Sequence, residues 1–410
     1  MKIHSKRVSV PEGCFEGTIT FDKGKIVSFE RGSASSDAID YGWQRIIPGI
    51  FDTHNHGTQG FDLMQEGVTD EHRRQTMLGY LRGLASQGTT SVFPTLGCRD
   101  YDLQGLRLLA DIADDQASDP VCSCCCGATV RGIHSEGPWL SRVGEKGVRT
   151  PWPEVGVSHA RDMVTAARGH LRLVALAPEI EGIGEVVDYL LSEDVTVAAA
   201  HSDNDYAAAT AAYRHGVSVA THVGNVMTDM HHREVGGLGA ALLNDSVTCE
   251  VICDGLHVCN EMLRIYFHVK DYAKFEMISD CTAFSGAPVG TYRSRFPGVG
   301  GMQVTEGGFV LTDTGRLMGS SQPVLFGIGN LVDHVGVPLE RALEMACLNP
   351  ARKYGLDDVV GSIEPGKDAD LVVISDDWRA QVTYVRGRKV FDRSTDTDVF
   401  NPAFLKEVSA

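Results

Sequence analysis

From about residue 46 to about residue 282 the sequence repeats one pattern eight times: a short apolar run of strand length, then a segment with helical spacing of its apolar residues. The runs are RIIPGIFDTHNH, TTSVFPT, TVRGIHSEG, LRLVALAPE, VTVAAAHSD, VSVATHVGN, CEVICDGLHV and FEMISDCT, and most are separated by stretches such as DEHRRQTMLGYLRGLASQG, GIGEVVDYLLSED and NDYAAATAAYRHG. Eight strands alternating with helices predict an α/β chain whose parallel strands close into a (β/α)8 barrel of the TIM type. An open doubly wound sheet satisfies the same alternation, but it gives no reason for what stands at the ends of the runs.

Nearly every run ends in a polar or ionisable residue: His54 and His56 on the first, Glu136 on the third, His201 on the fifth, His222 on the sixth, His257 on the seventh and Asp280 on the eighth. The C-terminal ends of the strands are where a barrel builds its active site. Residues i and i+2 of a strand point to the same side, so His54 and His56 aim at one point while Asn55 faces away. Any one of these histidines is an ordinary structural residue, and it is their joint placement on one rim that predicts a metal-dependent hydrolase. Neutral imidazoles with a carboxylate suit a divalent transition ion, zinc first and iron second. Glu136, His201 and His222 make one site, and His54 and His56 complete a second with Glu136 bridging, so one or two ions per subunit are expected. Such an ion lowers the pKa of bound water and polarises a carbonyl, setting up attack by metal-bound hydroxide. Asp280 is placed to take the water's proton as general base and hand it to a leaving amine as general acid; the alternative is that it caps the following segment.

The two ends of the chain have a different texture. RVSV, EGTITFDKGKIVSFERG and QRIIPG at the start, and GSIEPGKDADLVVISDD and AQVTYVRGRKVF near the finish, are β-branched runs punctuated by turn residues, so the ends can pair in one small sheet beside the barrel. The net charge of −17, from 37 basic and 54 acidic residues, excludes nucleic acid and anionic membrane as partners, and an anionic ligand must be caught by a local site. No apolar run approaches a membrane span, and MKIHSKRVSVPEGCFEG lacks the apolar core of a secretory signal, which predicts a cytoplasmic protein. The eleven cysteines are then read as thiols, including the Cys122–Cys126 group, which has no matched C-x-x-C pair for a structural zinc.

Several stretches resemble, in order and spacing, the N-acetylglucosamine-6-phosphate deacetylases of the amidohydrolase superfamily: PGIFDTHNHG, HSEGPWLS, AAHSDNDY, THVGNVMTDMHHREVGG, CDGLHV, MISDCTAFSG, LNPARKYGL and GSIEPGKDADLVV. The resemblance implies a small β-sandwich domain from both termini (1–47 plus 360–398) around a catalytic barrel (48–359). It also implies a homodimer, and hydrolysis of N-acetylglucosamine 6-phosphate to glucosamine 6-phosphate and acetate. It matches Glu136, His201 and His222 to the main metal ligands, His54 and His56 to the H-x-H pair of two-metal members, and Asp280 to the catalytic aspartate. Asn225, Val226 and His257 match sugar contacts, Arg233 matches an arginine that reaches the phosphate from the partner subunit, and Leu317, Met318 and Gly319 resemble a loop lining the sugar.

The chain also departs from that family. Arg149, in EKGVRT, stands where the family carries a substrate-touching histidine, Val226 replaces an alanine, and REVG replaces REPG. These changes open the substrate to the galactosamine epimer or another acylated amino sugar. His134 is read as a support for Glu136, and His231 and His232 as helpers of Arg233 at an anion site. A cyclic-amide hydrolase or a deaminase is the rival within the superfamily, but VALAPEI offers no lysine to bridge two metals. A catalytically inactive relative is the rival outside it, and such a protein is expected to lack a ligand or the acid/base; none is missing here.

Overall fold

In the computed structural model, which describes all residues except 66, 98–101, 120–122, 143–152, 295–298 and 409–410, the eight apolar runs form eight parallel strands. These are β1 (Ile50–Asn55), β2 (Thr89–Gly97), β3 (Ile133–Glu136), β4 (Leu171–Leu176), β5 (Thr196–Ala199), β6 (Val219–Ala220), β7 (Thr248–Ile252) and β8 (Phe275–Ile278). Each pairs with its successor in parallel. The ring closes between first and last through an Asn55–Cys281 bridge. Helices α1 (Asp70–Ala85), α2 (Leu103–Ser118), α3 (Val157–Ala167), α4 (Ile183–Ser192), α5 (Tyr206–His215), α6 (Gly236–Leu243), α7 (Asn260–Val269) and α8 (Val324–Asn330) follow the strands in turn.

Alternation along the strands sorts the apolar residues into two cores. Val174 and Leu176, Val197 and Ala199, Val251 and Met277 pack outward with the helices, where α4 presents Ile183, Val186, Val187 and Leu190 at helical spacing. Phe51, Phe93, Leu173, Ala175, Ala198 and Val219 face inward and are closed from below by Tyr354. Three helices start on side chains that accept a backbone N–H of the first turn: Thr69 before α1, Asp102 before α2 and Asp205 before α5.

Strands from both termini pair in an eight-stranded mixed sheet. Its join is Arg45–Pro48, which runs parallel to Lys2–Val10 and antiparallel to Leu371–Ile374. Hydrogen bonds connect all its strands, so the two layers of the expected sandwich are halves of one sheet. It folds over a single core in which Ile3, Ile19, Phe21 and Ile26 meet Leu371, Val373, Val382 and Tyr384. A second feature was not singled out by patterning, because its strands are four residues each. Gly290–Arg293, Gly301–Val304, Phe309–Thr312 and Leu317–Ser320 form an antiparallel meander between β8 and α8, and the helix Pro402–Val408 packs Phe404 and Val408 against it.

Cys124 corrects the expectation of thiols throughout: it is buried and disulfide-bonded, whereas Cys126 and six others among the described residues are free. A bond needs two Cβ atoms about 4 Å apart, a distance that sequence spacing does not reveal. Cys122 lies outside the described residues. Among the described residues no helix is long and apolar enough to cross a membrane.

Two carboxylates share the barrel interior, Glu250 on β7 and Glu276 on β8. Both are fully buried, and Thr53 Oγ1 lies 3.1 Å from one and 3.5 Å from the other. Burial first, and the neighbouring Glu250 second, push the Glu276 carboxyl from its ordinary 4.5 up to about 8. The folded protein therefore holds a proton that the unfolded chain gives up, and this contribution to stability is lost as pH rises from about 4.5 to about 8. Glu276→Gln is expected to flatten that slope in urea unfolding at pH 5 and pH 8; an unchanged slope would place the proton elsewhere.

Candidate metal centre

The site is assembled at the C-terminal ends of the strands, starting from the seam between β1 and β8. The register of β1 shifts between Asp52 and Asn55, which lets both Thr53 and His54 turn into the barrel. Asp52 holds the seam. Its buried carboxylate accepts from Ser279 Oγ at 2.6 Å, the Ser279 N–H at 3.2 Å, Asn55 Nδ2 at 3.1 Å and the His54 N–H at 3.3 Å. Burial outweighs these bonds and lifts its carboxyl to about 6. Across the same seam the Asp280 N–H donates to His54 O at 2.9 Å. Sequence reasoning missed Asp52, although a carboxylate between Phe51 and Thr53 in an apolar run is a visible signal.

Six side chains converge above this seam in two triads whose ligand atoms lie within 4.8 Å of one another: His54, His56 and Asp280, and Glu136, His201 and His222. Glu136 stands between them. Its Oε1 is 3.0 Å from His201 Nε2 and 3.1 Å from His222 Nε2, while its Oε2 is 3.1 Å from His56 Nε2. The Nε2 atoms of His54 and His56 are 3.2 Å apart, and each is 3.5 Å from Asp280 Oδ1. His201, His222 and Asp280 have left-handed backbone, with φ of 49°, 33° and 49°. That conformation is costly for residues with a Cβ and turns each strand end so that its side chain points to the centre.

The electrostatics favour a cation. Burial alone pushes the Glu136 carboxyl up, but the His201 and His54 rings override it and hold it well below the usual range. Burial likewise opposes a charge on His54, and Glu136, Glu250 and Asp280 outweigh it, raising the imidazole to about 10. Nδ1 of His56 lies 3.2 Å from Thr95 O and Nδ1 of His222 lies 3.2 Å from Asn225 O. A carbonyl can only accept, so these contacts assign the proton to Nδ1 and leave the Nε2 lone pairs facing the centre. Four imidazoles and two carboxylates, pre-aimed in a nearly dry pocket, fit a divalent metal ion.

The remaining predicted residues divide by location. Asn225 and Val226 lie in the turn after β6, where the Asn225 N–H bonds His222 O at 2.9 Å and Val226 O accepts from Ser202 at 3.2 Å. Leu317, Met318 and Gly319 are on the last meander strand, which docks on the barrel rim: the Ser320 N–H donates to Asp280 O at 2.8 Å. Gly319 has φ +61°, and a Cβ there would lie 3.0 Å from Asp280 O and 2.5 Å from Thr282 Cγ2, so only glycine permits the approach. His257 Nδ1 is 2.9 Å from Asp254 Oδ2, which also lies 3.4 Å from Ser320 Oγ. His134 is buried and its charge is suppressed, by burial first and by His54 second. Its ring stands edge-on to His54 at 4.6 Å, a support rather than a member of either triad. Arg233 is exposed on the loop between β6 and α6, with its Nη1 2.7 Å from His232 Nε2, and it does not enter the cluster. Arg149 lies outside the described residues.

Comparison with known proteins gives a consistent set of relatives. Residues 45–392 match the amidohydrolase family. The N-acetylglucosamine-6-phosphate deacetylase of Vibrio furnissii is 32% identical over 385 residues, which is 93% of this chain and 92% of the relative. The N-acetylgalactosamine-6-phosphate deacetylase of Escherichia coli O157:H7 is 31% identical over 346 residues, 84% of this chain and 87% of the relative. A mutant of the N-acetyl-D-glucosamine-6-phosphate deacetylase from Mycobacterium smegmatis, solved with N-acetyl-D-glucosamine-6-phosphate, superposes with a TM-score of 0.79 at 26% identity, covering 95% of this chain and 99% of that one.

The position of Glu136 depends on its neighbour at the end of β2. Gly97 has φ +122°, and an added Cβ would sit 2.1 Å from Glu136 O, inside the strand pair. Gly97→Ala is expected to destabilise the fold by about 1–3 kcal/mol and to lower metal content with it. Urea unfolding paired with metal analysis checks this; full stability with full metal would show that the strand end can yield.

Proposed function

This chain belongs to the amidohydrolase family, and we propose that it removes the acetyl group from an N-acetyl amino-sugar 6-phosphate, with N-acetylglucosamine 6-phosphate as the first substrate, glucosamine 6-phosphate and acetate being the products. The observation that carries this reading is the pair of triads joined at Glu136, with Asp280 at their open edge. Glu136, His201 and His222 would hold a divalent ion, zinc first and iron second, and His54 and His56 a second where two are bound; bound there, the metal acidifies a water and polarises the acetamide carbonyl.

The chain's own groups supply the rest. Asp280 is 17% exposed while the triad histidines are almost fully buried, so its carboxylate is the member that solvent and substrate reach. It takes the proton of the attacking water and delivers it to the departing nitrogen. His257, steadied by Asp254, and the backbone of Asn225, Val226 and Leu317 to Gly319 surround the place of the sugar ring. A phosphate needs local cations in a protein of net charge −17, and His231, His232 and Arg233 form an exposed basic loop suited to it. A homodimer in which Arg233 serves the neighbouring subunit belongs to the same reading, as does a cytoplasmic location.

The deciding assay is acetate release by metal-loaded protein; release of ammonia instead would favour a deaminase. Asp280→Asn is expected to keep its metal and to lose about a thousandfold in kcat, since one group serves both proton transfers. Turnover near the wild-type rate in that variant would remove Asp280 from the mechanism.

Relatives named for the glucosamine and galactosamine substrates are almost equally similar, so kcat/KM for both epimers is the measurement that selects between them. On either sugar, Arg233→Ala is expected to raise KM for the 6-phosphate far more than for the unphosphorylated analogue. Equal losses would make Arg233 structural.

A further inference from the structure

His54 differs from His56 and His222 in what lies behind it. His56 and His222 have backbone carbonyls at Nδ1, which fix their tautomers. His54 Nδ1 is fully buried and makes no hydrogen bond within normal distance. The group facing it is Glu250 Oε2, at 3.7 Å, and that oxygen too is buried without a partner. The other oxygen of Glu250 accepts from Thr53 Oγ1 at 3.1 Å. Thr53 and His54 are consecutive on β1, and the register shift that turns both inward places hydroxyl and imidazole over the same carboxylate on β7.

Glu250 lies beside Glu276 in an inner layer whose other members include the apolar Phe51, Phe93, Leu173 and Val219. A carboxylate there is unfavourable unless it is paired, and burying it with one oxygen unsatisfied asks for a reason beyond packing. We propose that Glu250 is a positioning residue for the metal centre: by accepting the Nδ1–H of His54 it fixes the ring's tautomer and aims the Nε2 lone pair at the ion held beside Glu136 and Asp280. The arrangement is a carboxylate–histidine–metal relay, in which the outer carboxylate raises the basicity of the ligand. Thr53 sets the rotamer of Glu250, so the relay is built from one strand and its neighbour across the barrel. The proposal rests on the metal-dependent reading above.

The test is zinc affinity of the demetallated full-length protein, measured by competition with a chromophoric chelator, with circular dichroism to confirm the fold. Glu250→Leu and Glu250→Ala are expected to lower affinity by at least about tenfold. Glu250→Gln, whose amide oxygen accepts the same N–H, should stay within about threefold of wild type. In a His54→Ala background, adding Glu250→Leu should change affinity by less than about twofold, because the histidine through which it acts is gone. Wild-type affinity in both Glu250→Leu and Glu250→Ala overturns the inference, as does an undiminished loss in the His54→Ala background. A wild-type protein with no zinc affinity, or a His54→Ala variant that binds as well as wild type, overturns instead the metal reading at His54.

Discussion

The buried carboxylate of Asp52 is the interaction on which the rest of the molecule leans. A parallel barrel must join its last strand to its first without a turn, and here the join is short: the Asn55–Cys281 bridge, the Asp280 N–H to His54 O bond and the two hydrogen bonds that Asp52 accepts from Ser279, while His54 and Asn55 of its own strand hold the carboxylate in place. Those donors are neighbours of the residues that matter for chemistry, since Ser279 precedes Asp280 and His54 belongs to the H-x-H pair. Closure of the fold and alignment of Asp280 with the histidines are thus one event. The cost is a buried carboxylate whose pKa is raised to about 6, and four donors converging on it offset that cost.

How much of this was legible in the sequence follows from which forces act locally. The barrel could be read because outward-facing apolar residues and helical crossovers impose their periods on the chain, and because His54, His56, Glu136, His201, His222 and Asp280 all fall at strand ends. The conformations that bring those six together could not. Left-handed backbone at His201, His222 and Asp280 is imposed by the tertiary structure on residues that do not favour it. Glu250 and Glu276 were hidden because a single carboxylate in a strand ordinarily signals a solvent-facing position, and only the closed barrel makes those positions interior. The meander over 290–320 was hidden by its brevity, and the folding-over of the terminal sheet by the absence of any local signal for curvature.

The acidic and basic groups near the site are separated in space. On the proposed reading the centre gathers Glu136, Asp280 and Glu250 around four imidazoles, a place for a cation and a poor one for a phosphate. The basic groups of His231, His232 and Arg233 sit on an exposed loop instead. On that reading an amino-sugar phosphate would enter with its amide toward the strands and its phosphate toward the loop. Within an acidic protein this separation confers orientation without a large positive surface, and it confines anion capture to one spot.

The strand Arg45–Pro48 leads directly into β1, and its antiparallel partner is Leu371–Ile374. The rim that carries Asp280 is braced by the meander, which the helix Pro402–Val408 covers in turn. Along the polypeptide the six residues of the cluster therefore all come before the elements that brace the rim. The order of translation thus places the meander and the helix Pro402–Val408 after every one of the six residues of the cluster.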